Sequence, residues 1–159
     1  MLVKKIILIS TVIMLCGCWH TASMFIGTWD YQSGQNIITC TVEDFTFSYS
    51  EDITDLEFEI VESTGPNLIV MLPLDEDDCR IDLSITDNVA VSVPAQSCDI
   101  EPDETFFDFA HIDVLFTLDG TSSKGSAAYM LSGPMNDPPF STGNCTLSVI
   151  GKAQKRAAP

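Results

Sequence analysis

Residues 79–93 alternate between apolar and polar side chains almost without a break. Cys79, Ile81, Leu83 and Ile85 interleave with Arg80, Asp82, Ser84 and Thr86; Val89, Val91 and Val93 then interleave with Ala90 and Ser92. Apolar residues at every second position put one face of an extended strand in a core and the other in water, a period that no helix can bury. The signature recurs along the chain. Ile38, Cys40 and Val42 show it, as do Phe45, Phe47 and Tyr49. Leu56, Phe58 and Ile60 alternate with Asp55, Glu57 and Glu59; Ile112, Val114, Phe116 and Leu118 alternate with His111, Asp113 and Thr117; Cys145, Leu147 and Val149 end the series. This pattern predicts an all-β chain, an antiparallel meander of about eight or nine strands closed as a barrel or folded as a sandwich.

The connections follow from turn chemistry. Ser33-Gly34 and Gly65-Pro66-Asn67 read as turns, and Leu68 to Leu74 is apolar on both faces, as a covered strand would be. Between Ile85 and Val89 a three-residue loop, Thr86 to Asn88, is expected, because it pairs Ile85 with Val89 and Leu83 with Val91 on one face. That register carries Cys79 towards Ala95, Pro94 ends the pairing, and Cys98 folds back on Cys79. Asp99 to Thr105 is an acidic loop. Phe107 and Phe109 have the opposite parity to Ile112 and Val114, which predicts a bulge near Phe109 or Ala110. Ser126 to Leu131 is the partner strand, Gly133 to Gly143 with its three prolines a long exposed loop, and Lys152 to Pro159 a frayed tail.

The first eighteen residues set the address. Lys4 and Lys5 precede an apolar run, Ile6 to Leu15, broken only by Ser10 and Thr11. Ten helical residues span about 15 Å, half of a bilayer core, which suits a secretory signal and is too short to cross. Leu15-Cys16-Gly17-Cys18 resembles the bacterial lipoprotein signal, in which an aliphatic residue and two small positions lead to a Cys. The resemblance implies a diacylglyceryl group on Cys18, cleavage between Gly17 and Cys18, and acylation of the new amine. Acyl chains at about 0.8 kcal/mol per buried methylene would hold the protein on a membrane. Trp19 stands where an Asp would favour inner-membrane retention in Gram-negative lipoproteins, so the resemblance points to the outer membrane. The domain plan is a signal peptide over 1–17, a tether over 18–26, the β domain over 27–151 and the tail over 152–159.

Beyond the signal 142 residues remain (159 minus 17), a length for one domain. Without Lys4 and Lys5 the balance is 5 basic against 23 acidic residues, a net charge of −18, which repels nucleic acid and anionic headgroups. Four cysteines follow the anchor: Cys40, Cys79, Cys98 and Cys145. An even count in an exported chain reads as two disulfides, with three connectivities open. The hairpin favours Cys79–Cys98. In a closed meander the first and last strands are neighbours, which favours Cys40–Cys145.

Gly27-Thr28-Trp29 at the opening of a strand resembles the start of lipocalin-type barrels, where the Trp plugs one end; Trp29 is the expected barrel-end residue. The Gly27 to Gly34 start, the cysteine framework, Gln96-Ser97-Cys98 and Cys145-Thr146-Leu147 together resemble small secreted lipoproteins of myxobacteria and related delta-proteobacteria. That resemblance implies an address and a fold but no activity.

Little chemistry stands out. Asp75, Asp77 and Asp78 form the best metal candidate, but the run lacks the spacing and glycine of a calcium loop. His111 beside Asp113 is a His–carboxylate pair without a recognisable nucleophile motif, and there is no C-x-x-C and no G-x-S-x-G. The sequence therefore predicts a non-enzymatic, lipid-anchored cell-envelope protein with a structural or binding role and no cofactor. Its expected partners are the membrane, through the anchor, and a protein or small apolar ligand, with no nucleic acid. A lipocalin-like carrier of an apolar small molecule and a carboxylate-based hydrolase are the alternatives.

Overall fold

The computed structural model describes residues 21–54, 56–65, 68–72, 79–100, 106–120, 123–137 and 141–157. A short helix, α1, covers residues 21–25. Eleven strands follow: β1 (Gly27–Val42), β2 (Phe45–Ile53), β3 (Glu57–Glu62), β4 (Leu68–Leu72), β5 (Ile81–Thr86), β6 (Val89–Ser92), β7 (Cys98–Ile100), β8 (Phe106–Phe109), β9 (His111–Leu118), β10 (Lys124–Asp137) and β11 (Ser141–Lys155).

All pairings are antiparallel. Eight strands close a ring in the order β1-β3-β4-β5-β6-β9-β10-β11, with β11 returning to β1. Of the two expected architectures, the barrel is the one that forms. Its strands alternate as their sequences do: β5 buries Ile81, Leu83 and Ile85, while β3 buries Phe58 and Ile60. Within the ring β4 buries Ile69, Val70 and Met71, residues of both its faces.

Three strands outgrow the ring. β1 has 16 residues, β11 has 15 and β10 has 14, against four to eight in the other ring strands. Their far halves continue as a flange. There β2 takes the edge of β1 that β3 vacates, pairing from Gly34↔Ile53 to Val42↔Phe45. On the other side β8 takes the end of β10, and β7 pairs with β8. Where ring passes into flange Gly34 faces Gly151, and the two backbones approach so closely that a Cβ on Gly34 would strike the Ile150 carbonyl. Beside it Gln32 is an extra residue, so the expected turn at Ser33-Gly34 is a bulge within one continuous strand.

The bulge predicted near Phe109 is present. From Phe107 to His111 the chain takes four steps while β10 takes three, from Met135 to Ser132. This switches the parity, so that Phe109 and Val114 both reach the core. The extra residue rides over Gly133, whose missing side chain leaves room for the Asp108 carbonyl.

Three expectations are corrected. The β5–β6 loop has two residues, Asp87 and Asn88, and pairs Ile85 with Ala90 and Thr86 with Val89. The inward position opposite Phe116 is Ala90, and the large ring demands a small neighbour there, so Val91 turns outward. Asp87 accepts the left-handed backbone (φ 55°) that the tight loop needs. The expected loop over Gly133 to Gly143 is mostly strand; Pro134 is tolerated because neither β8 nor β9 pairs with it. Finally, β11 runs on to Lys155, past the expected domain end at 151, and the end of the expected tether folds as α1, whose Phe25 is fully buried.

Candidate functional site

One end of the barrel is closed by aromatic side chains. At the closed end α1 lies against the start of β1. Trp29 Nε1 donates to the Phe25 carbonyl (2.8 Å), and the Trp29 ring packs on Phe116 (4.7 Å, nearly perpendicular) and Phe58 (6.3 Å, stacked). Phe25 adds an edge contact to Phe116 at 5.6 Å. Trp29 is fully buried in this aromatic cluster. Lys155 closes the seam: its Nζ lies 5.6 Å from the Trp29 ring centre and donates to the Met24 carbonyl (3.0 Å). Partial burial lowers its pKa. Arg156 bridges Asp30 (2.7 Å) and Glu57 (2.6 Å), and these carboxylates, Asp30 first, hold the guanidinium still more firmly protonated.

Beyond the plug the inner wall carries three buried polar atoms without a hydrogen-bond partner: Tyr31 Oη, Tyr129 Oη and Asn36 Oδ1. Strand register brings them together. Asn36 and Tyr129 both pair with Val149, from opposite sides, and the Tyr31 ring lies against Gly151, one inward position away along β11. Burial raises both phenols far above their usual range, and Tyr129 adds to the shift of Tyr31. Asn36 Nδ2 donates to Glu51 (3.1 Å), as does Tyr49 Oη (3.2 Å), so this polar patch leads outward onto β2.

On β2 the inner wall becomes a surface. Ile53 is buried in the barrel core; every second residue before it, Glu51, Tyr49, Phe47 and Phe45, continues the same face outward. Phe45 is 67% exposed, Phe47 43% and Tyr49 58%. Across the ladder they face Val42, Cys40 and Ile38. The opposite face of the same strands is polar, with Thr39 bonded to Ser48 (2.9 Å) and Thr41 to Thr46 (3.0 Å). A second apolar row, exposed at Val91, Leu115 and Ile150 and half-buried at Ala128, crosses the outside of the ring from β6 to β11.

The predicted disulfides both form. Cys40 joins Cys145 in the flange (Cα–Cα 4.1 Å) and Cys79 joins Cys98 (4.9 Å). Met135 sulfur rests 3.5 Å from Cys145 sulfur, and Ile38 and Val42 pack on the same small cluster. Gly17, Cys18 and the metal candidates Asp75, Asp77 and Asp78 lie outside the described residues. Among the described residues no group of three or more His, Cys, Asp or Glu is placed to hold a metal ion. His111 and Asp113 are exposed on the outer face as expected. Ser132 is the cross-strand neighbour of His111, but no hydrogen bond joins the three. The aromatic face of β2 was only partly legible: the period of two was visible, whereas its outward presentation depends on how far β1 outruns the ring.

No protein-family model matches the chain, and no curated protein matches its sequence.

Proposed function

We propose that this chain is a lipid-anchored protein of the bacterial cell envelope, most simply of the outer membrane, with a non-catalytic binding role. The observation that carries the binding role is the run of exposed aromatics on β2, an extension of the barrel's apolar inner wall into solvent. Monomeric soluble domains rarely leave such a contiguous apolar face bare. Two buried disulfides suit an oxidising compartment. The closed end, where the chain enters from Cys18, also carries Lys124, Lys152, Lys155 and Arg156, four of the five basic residues left after the signal. These cations, two of them paired with Asp119, Asp30 and Glu57, offset the acidity of the end nearest the anchor.

Expression in a bacterium with lipoprotein processing tests the anchor. Mass spectrometry of the mature N-terminal peptide should find Cys18 carrying diacylglycerol and an N-acyl chain. A Cys18→Ser chain should remain an unprocessed precursor. A mature chain released with an unmodified thiol at position 18 would refute this reading.

A second reading, a lipocalin-like carrier of a small molecule, is favoured by the unpartnered Tyr31, Tyr129 and Asn36 atoms in the inner wall. The aromatic plug restricts any such ligand to the part of the barrel beyond Trp29 and Phe116. Native mass spectrometry of the purified protein should then show a bound mass that is lost on Tyr31→Phe, Tyr129→Phe double substitution.

A further inference from the structure

The binding role proposed above leaves the partner open, and the chemistry of β2 narrows it. Among the described residues β2 pairs with β1 alone, so its other edge presents a row of unpaired backbone N–H and C=O groups along nine residues. Natural edge strands are usually blunted by lysine, proline or a bulge. β2 has no proline, no Lys or Arg and no shift of register against β1. Instead it displays Phe45, Phe47 and Tyr49 on one face, which is the arrangement that strand addition uses: backbone pairing supplies affinity and alternate side chains supply selectivity.

Charge selects the occupant. Glu43 and Asp44 stand at one end of the strand and Glu51 and Asp52 at the other, all exposed, and the chain contains no Lys or Arg between Lys5 and Arg80. A second copy is disfavoured. Aligned so that Phe47 meets Phe47, antiparallel self-pairing sets Glu43 opposite Glu51 at both ends, and like charges directly opposed are destabilising. The bilayer is disfavoured too. Glu43, Asp44, Glu51 and Asp52 flank the aromatics, and anionic headgroups repel carboxylates.

We propose that β2 receives an extended segment of a partner protein as an added strand, with small or branched apolar residues against Phe45, Phe47 and Tyr49 and lysine or arginine against the acidic ends. This rests on the binding role but not on the anchor.

Fluorescence anisotropy of the full chain in detergent tests it, with a labelled peptide of alternating valine and threonine bearing paired lysines at both ends. The same peptide ending in paired glutamates is the control. The lysine peptide should bind at least tenfold more tightly, and its affinity should fall with added salt. Phe47→Ser together with Tyr49→Ser should weaken it about five- to twentyfold, and Asp44→Asn with Asp52→Asn should shrink the preference over the glutamate peptide. These four positions are exposed, and unchanged thermal unfolding of each variant shows the fold intact. Equal binding of the two peptides, full binding by the serine variant, or a dimer that only the serine substitutions dissolve would each overturn the proposal. Cys18 acylation is scored on the same preparation, so failure of strand addition with an intact anchor is distinguishable from failure of the envelope reading.

Discussion

Replacing Tyr31 or Tyr129 with phenylalanine removes a hydroxyl that the barrel buries without a hydrogen-bond partner. Such a group loses its hydration on folding at a cost of roughly 1–3 kcal/mol, and no protein contact offsets the loss. Phenylalanine keeps the ring, so the packing of position 31 on Phe58 (5.2 Å) survives. Each single substitution should therefore stabilise the protein by about 1 kcal/mol. An unfolding entropy near 2.1 cal/mol/K per residue gives about 0.3 kcal/mol/K for a domain of this length, so Tm should rise about 3–4 °C. Tyr31 and Tyr129 feel one another, so the double substitution need not give the sum. Alkaline pH gives an independent check. Burial keeps both folded phenols protonated well beyond the range in which an unfolded tyrosine ionises, near 10. The unfolded state therefore binds fewer protons above that pH. The stability tied to these groups is complete below pH 10 and declines above it, by about 1.4 kcal/mol per tyrosine per pH unit. Circular-dichroism melts between pH 7 and 11 should show a steep alkaline fall in the parent and a shallower one in the double variant. A variant that melts about 2 °C or more below the parent at pH 7 would refute the reasoning, because it would mean that the hydroxyl has a partner in solution.

Three further outcomes follow from the packing. Cys40→Ser with Cys145→Ser opens a loop of 105 residues and should cost about 4–5 kcal/mol on the chain-entropy model, whereas Cys79→Ser with Cys98→Ser opens one of 19 and should cost about 3 kcal/mol; urea titration ranks the two. Ala90→Leu drives a branched side chain towards Phe116 and should destabilise by about 1–3 kcal/mol, while Val91→Leu, on the outer face of the same strand, should change stability by less than about 0.5 kcal/mol. Gly133→Ala places a methyl group on the Asp108 carbonyl, so the bulge must shift; a melt lowered by about 5 °C or more is expected, and an unchanged one would show that the approach is not tight.

Much of this fold can be read from alternation alone, because a strand half in the core writes its period into the sequence. Leu83, Phe58 and Phe116 declare their inward face without help from any partner. What alternation does not contain is the partner's size. Alternation alone misplaces the β5–β6 register because three valines outweigh one alanine, yet it is Ala90 that fits beside Phe116, and only the position of Phe116 on the neighbouring strand makes that visible. Proline misleads in the same way: Pro134 reads as loop until the bulge between β8 and β9 leaves that stretch of β10 paired with β11 alone. Both disulfides were legible because they follow from adjacency, Cys79 beside its own hairpin and Cys40 beside the last strand. The polar patch was not, since Tyr31, Asn36 and Tyr129 meet only through the register of three strands and the bare backbone at Gly151.

The length of β1 connects these features to function. A ring of eight strands with partners of four to eight residues uses only the near halves of β1, β10 and β11. Their far halves keep the inward pattern of the barrel, with Ile38, Cys40 and Val42 on one strand and Cys145 and Leu147 on the next, but no ring closes over them. Part of that apolar face is taken up by the Cys40–Cys145 bridge and Met135. The rest passes to β2, the outermost strand of that flank, where nothing described covers Phe45, Phe47 or Tyr49. A chain selected only to fill a barrel could end β1 near Gly34 and omit β2, sparing itself an open edge and three exposed aromatics. Keeping both, and ringing them with Glu43, Asp44, Glu51 and Asp52, makes sense when something outside the chain completes the sheet.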